Sequence, residues 1–160
     1  MSILVQGYQL RSLMFGTQVI KAAAVLPATA TATLFTVAGG SVLLTSFFGQ
    51  CTTVCTSTAT TIQVGTAPTV GTASHTGLAT ATAITSSEVG TWVGLGATAG
   101  AALIVGGANG AGAAGGFAQM VSLPVAVSAG TITITTSATN TGAFKWYLTY
   151  VPLDTGASVS

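Results

Sequence analysis

Three residues carry whatever acid–base chemistry this sequence could do: His75, Glu88 and Asp154, the single histidine and the two carboxylates of a 160-residue chain. A general acid and base must be brought within hydrogen-bond reach of one reacting atom, and glycoside hydrolysis needs two carboxylates in fixed separation. Nothing in the spacing of Glu88 and Asp154 recommends such a pair. Serine is so abundant that a set of His75, Asp154 and a serine exists by inventory alone, and no G-x-S-x-G elbow accompanies it. The chain is therefore expected not to be an enzyme, with no catalytic residue and no cofactor.

Cys51 and Cys55 stand in C-T-T-V-C. On a flat strand that step puts both on one face about 13 Å apart, too far to bridge unless a bulge or turn intervenes. Two small buried hydrophobes are the expectation. Metal binding would need further ligands, and His75 is the one available, so no metal site is expected. Gly94, Gly96 and Gly100 form G-x-G-x-x-x-G, which misses the dinucleotide spacing and lacks a βαβ setting. Close strand packing is the simpler reading. Gly96 to Gly100 also matches G-x-x-x-G, but the run from Trp92 to Val105 is shorter than the roughly 20 apolar residues of a spanning helix. A pore-like or holin-like role is thus the weakest alternative.

Composition narrows the field further. Charged residues are 3% of the chain (Arg11, Lys21, Lys145, Glu88 and Asp154) against about 25% in an ordinary soluble domain. Repulsion between copies is nearly absent. Disorder is excluded by a 49% hydrophobic content, because disordered chains are poor in apolar residues and rich in charge. A net charge of +1 offers no field for nucleic acid or an anionic membrane. Read as a mature chain from Met1, the sequence has no cleaved leader despite the apolar run Leu13 to Ile20, so use without export is expected.

The elements that would position these residues are strands. Residues 1–16 are apolar without clear period and read as an N-terminal arm or a first strand, ahead of a single domain at 17–160. Val19 to Leu26, Thr33 to Val37, Val42 to Phe48, Thr60 to Val64 and Leu78 to Ile84 follow as β segments, with two short ones in Trp92 to Val105. Gly65 to Gly77 reads as a surface connection holding His75, and Gly106 to Gly116 as a Gly/Ala loop. Ala38-Gly39-Gly40-Ser41 reads as a hairpin turn. The chain closes on what reads as a second hairpin, Thr131 to Thr135 and Phe144 to Val151 about a turn at Asn140-Thr141-Gly142. In its return strand Phe144, Trp146, Leu148 and Tyr150 share one face, and Lys145, Tyr147, Thr149 and Val151 the other. Roughly eight to ten short antiparallel strands at such spacing predict an all-β fold, a single sandwich or jelly-roll-like domain.

Trp146, Tyr147 and Tyr150 are expected to pack in the core or along an edge, with a carbohydrate platform as the sharper alternative. Lys145 reads as a solvated outer-face residue or as half of an inter-subunit pair with Asp154 or Glu88.

Three runs carry a resemblance: Leu26 to Gly40 (LPATATATLFTVAGG), Glu88 to Thr91 (EVGT) and Gly142 to Ala157 (GAFKWYLTYVPLDTGA). Together, and in order from about Val19 to the C-terminus, they resemble a family of small virion proteins of tailed bacteriophages; residues 1–16 lie outside it. This chain departs from that pattern in being poorer in charge and in its Gly/Ala segment. The resemblance implies a capsid or tail component and transfers no catalytic residue. Joined to the composition, it yields the expectation of a virion structural protein. The first choice is a capsid decoration or cement protein, a symmetric homo-oligomer, trimers included, bound to the major capsid protein or another virion protein and assembled in the host cytoplasm. A tail or adsorption-apparatus subunit and a surface carbohydrate-binding module are the alternatives. Neither nucleic acid nor membrane is an expected partner.

Overall fold

A computed structural model describes residues 15–96, 100–106 and 124–160, together with Gly7 and Leu10. The arm-or-strand expectation for residues 1–16 therefore lies largely outside the described residues, as does the Gly/Ala run beyond Gly106. Gly7, Leu10 and Phe15 carry helical backbone. The Phe15 carbonyl accepts a 2.8 Å hydrogen bond from the Thr45 hydroxyl.

The described residues form eleven strands: β1 (Thr17–Val25), β2 (Thr31–Ala38), β3 (Val42–Thr53), β4 (Thr61–Pro68), β5 (Ser74–Ala83), β6 (Trp92–Gly94), β7 (Ile104–Gly106), β8 (Val125–Val127), β9 (Gly130–Thr136), β10 (Ala143–Pro152) and β11 (Ser158–Val159). Their pairing is nested. β1 pairs with β10, β2 with β9, β3 with β8 and β4 with β5, all antiparallel. Pairing of β3 with β10 and of β4 with β9 then rolls that long double ribbon up on itself. The result is two facing antiparallel sheets, β1-β10-β3-β6-β7 with β8 also on β3, and β11-β2-β9-β4-β5. Strands wound in this order make a jelly roll, so the all-β sandwich expected from the sequence is what the chain forms.

Two local expectations are overturned by the same topology. β2 and β3 lie in different sheets, as do β9 and β10, so neither the Gly39-Gly40 turn nor the Asn140-Thr141-Gly142 turn closes a hairpin. Both are corners where the chain crosses the sandwich. Glycine is required at the first for a reason other than hairpin twist. Gly40 has φ 143°, and a Cβ there would sit 2.5 Å from Asp154 Cβ. The chain passes that close because the Asp154 carboxylate accepts a 2.7 Å hydrogen bond from the Ser41 N–H, which ties the corner to the C-terminal turn. At the second corner the buried Asn140 does the tying. Its Oδ1 accepts from Thr56 N–H (3.2 Å) and Gly142 N–H (2.8 Å), and its Nδ2 donates to Thr60 Oγ1 (3.1 Å).

The core lies between the sheets. From β10, Phe144, Trp146, Leu148 and Tyr150 point inward and are buried, as the period-two alternation predicts. Phe35, Phe47, Ile62, Val64, Ile132 and Ile134 meet them from the other strands. Phe35 and Phe47 contact edge to face across the sandwich, 6.3 Å between centroids. The outer faces differ in chemistry. The second sheet presents a threonine lattice in which Thr31 and Thr135, paired across β2 and β9, bond hydroxyl to hydroxyl at 2.7 Å. The first sheet presents aromatic rings.

Candidate functional site

The two carboxylates are held apart by β3. Asp154 binds at Ser41, just before β3, whereas the turn carrying Glu88 is anchored at the far end, where Gly90 N–H donates to the Cys51 carbonyl. Ten residues of strand separate those anchors, about 30 Å. A glycosidase pair needs its carboxyl groups within about 10 Å, so Glu88 and Asp154 cannot serve one bond. His75, expected in a connection, falls instead on β5, and its side chain lies outside the described residues. Of the dinucleotide-like glycines, Gly94 ends β6, which pairs antiparallel with β7, and no βαβ unit surrounds it. No cluster of three metal-ligating side chains exists among the described residues, and none of their helices is long and apolar enough to cross a membrane.

Cys51 and Cys55 are both buried and unbridged, as expected, but they are not the widely spaced residues of a flat strand. β3 ends at Thr53, and the chain then turns, so that the two thiols influence each other's titration. The interaction with Cys51, with burial behind it, pushes the Cys55 thiol up; the same interaction is the main cause that lowers Cys51. The Cys51 thiol also donates to the Thr53 carbonyl at 3.1 Å. Gly142 leaves room for this arrangement, since a Cβ there would run into Cys55 Sγ.

What the fold does assemble is an aromatic patch on the outer face of the first sheet. Phe48 of β3, Trp92 of β6 and Tyr147 of β10 meet there, each half-buried. Register brings them together: Tyr147 pairs with Phe48, and Phe48 with Gly94, two residues from Trp92. Phe48 stacks on Tyr147 at 5.0 Å and 20°, while Trp92 tilts over both at 5.5 and 5.9 Å. Lys145 Nζ lies 5.1 Å from the Tyr147 centroid, a cation–π contact that places it on the outer face. Aromatic faces of this kind can stack on the apolar side of a sugar ring or on a partner's apolar side chains.

Of the residues considered for a platform in the sequence, Tyr147 is a member. Trp146 and Tyr150 are not; they point into the core. Phe48 and Trp92 were not legible as members, because only the register of three strands distant in sequence brings them beside Tyr147. Comparison of the chain with family models, curated proteins and solved structures returns no match.

Proposed function

We propose that this chain is a virion structural protein that decorates a capsid and strengthens it by repeated apolar contact. The observation that carries this is the surface of the jelly roll. Lys21, Lys145, Glu88 and Asp154 are the charged side chains of the described residues, whereas Ile20, Val25, Val70, Val89, Val151 and Leu153 are exposed. A folded chain with so little ionic surface and so many outward aliphatic groups suits an assembly in which those groups are covered. The resemblance of its LPATATATLFTVAGG and GAFKWYLTYVPLDTGA runs to small phage virion proteins supplies the setting.

The work is mechanical. Apolar area removed from water contributes about 25 cal/mol per Å², and a coat repeats each contact at every equivalent position on the shell. Binding only the assembled shell stabilises it by mass action. Low charge suits a symmetry axis, where like charges would face their own copies.

Copy number in purified particles is the test. A decoration protein is expected to approach the abundance of the major shell protein. A few copies per particle would instead favour the tail or adsorption apparatus, and absence would end both assignments. The Phe48–Trp92–Tyr147 patch favours a second reading, a glycan-binding face on the particle, which requires a glycan affinity that Trp92→Ala or Tyr147→Ala abolishes.

A further inference from the structure

One flank of the sandwich carries a hole and another a matching knob. The hole lies under β1, the edge strand of the first sheet. Lys21 pairs with Trp146 and Ala24 with Phe144, so β1 holds one extra residue there and bulges. Beneath the bulge the edge opens into a cavity of about 110 Å³, lined by Ala24, Leu26, Leu34 and Ile134, with the Trp146 indole beside them and Lys21 at its rim. An apolar cavity of about 150 Å³ accepts benzene, so this one suits a group slightly smaller, such as a branched aliphatic side chain.

The knob is the turn Glu88–Val89–Gly90. Val89 is 58% exposed. The turn is held rigidly: Gly90 N–H bonds Cys51 C=O at 2.9 Å, Thr91 N–H bonds Glu88 C=O at 3.0 Å, and Cys55 N–H bonds Ser87 C=O at 2.9 Å. Such a knob loses little conformational freedom on docking. Beside Val89 stands exposed Glu88, and neither Glu88 nor Lys21 has an ion-pair partner among the described residues. A cation at the rim of an apolar hole therefore matches an anion beside an apolar knob.

We infer that the Glu88–Val89 turn of one copy docks into the cavity beneath β1 of a second copy, Val89 filling the hole and Glu88 meeting Lys21. The contact is head-to-tail. Lys21, Trp146, Gly49 and Val93 lie in one row across the first sheet, and the turn sits at the end of β3 just past that row. Hole and knob are thus at nearly one level, separated across three strand spacings, about 14 Å. A head-to-tail contact makes a ring where its rotation closes and a filament where it does not. This rests on the self-associating coat reading above and names the surface it uses.

Charge reversal tests it on the full chain by sedimentation velocity. Lys21→Glu and Glu88→Lys, both at exposed positions, are each expected to weaken self-association by at least about tenfold, since like charges then face each other. The double variant K21E/E88K is expected to recover it. Val89→Ser should weaken association with the charges intact. Assembly of the single variants as tight as the wild type's, or a double variant no better than the singles, overturns this contact while leaving a coat role through other surfaces. A chain that shows this rescue yet is missing from particles sinks the coat reading and leaves the contact standing.

Discussion

Trp146→Ala is expected to destabilise the fold by about 3–5 kcal/mol, the usual cost of removing a buried Trp or Phe side chain. Three features place it there. The indole is 3% exposed, it packs on Phe47 at 5.3 Å and on Phe144 at 5.6 Å, and it fills the space that Gly49 leaves open on the neighbouring strand. A Cβ at Gly49 would lie 2.6 Å from Trp146 Cζ3, so strand and ring are fitted to each other. Truncation would also merge the lost volume with the cavity beneath β1, which Trp146 lines. Denaturant titration is the measurement, with a midpoint shift at unchanged slope. In a domain of this size the thermal midpoint should fall by on the order of 10 °C. Trp146→Phe should recover much of the loss; a change under about 1 kcal/mol for Trp146→Ala would mean that β10 does not face the core in this register.

Asn140→Ala is the second large effect, again about 3–5 kcal/mol. Asn140 is buried, and its amide satisfies the Thr56 and Gly142 N–H groups and donates to Thr60 Oγ1. Alanine leaves two backbone donors without a partner, and each such buried orphan costs about 1–3 kcal/mol. Those bonds also hold the corner between β9 and β10 against the segment that follows β3, so cooperativity should suffer with stability. Thr60→Val removes the acceptor of Asn140 Nδ2 and the donor to the Thr58 carbonyl but leaves both backbone donors paired with the amide, and should cost less, about 1–3 kcal/mol. Equal effects of the two variants in equilibrium unfolding would show that the corner does not depend on the amide.

These two residues illustrate what the sequence could and could not disclose. Trp146 was readable as inward-facing because Phe144, Trp146, Leu148 and Tyr150 alternate with more polar neighbours, and strand geometry translates that alternation directly into faces. Asn140 was readable as a turn residue, but its turn was mistaken for a hairpin. Turn chemistry fixes how sharply a chain bends and says nothing of which strand receives it. The true partner of β9 on one side is β2, about a hundred residues upstream, and no local pattern encodes that choice. The same limit explains Gly39-Gly40, whose glycines answer to Gly156 and Asp154 at the other end of the chain. It explains the patch as well: Tyr147 could be suspected alone, whereas Phe48 and Trp92 join it only through register. The cysteines show the limit on a smaller scale: their burial was legible, whereas the end of β3 at Thr53 and the turn after it were left open.

The proposed role is one of contact between copies, and contact is a matter of concentration. The most direct measurement is sedimentation of the purified full chain over a wide concentration range. The account predicts a species at a defined multiple of 15.6 kDa that forms reversibly as concentration rises. A compact monomer persisting at high concentration, with no affinity for any particle, would contradict it.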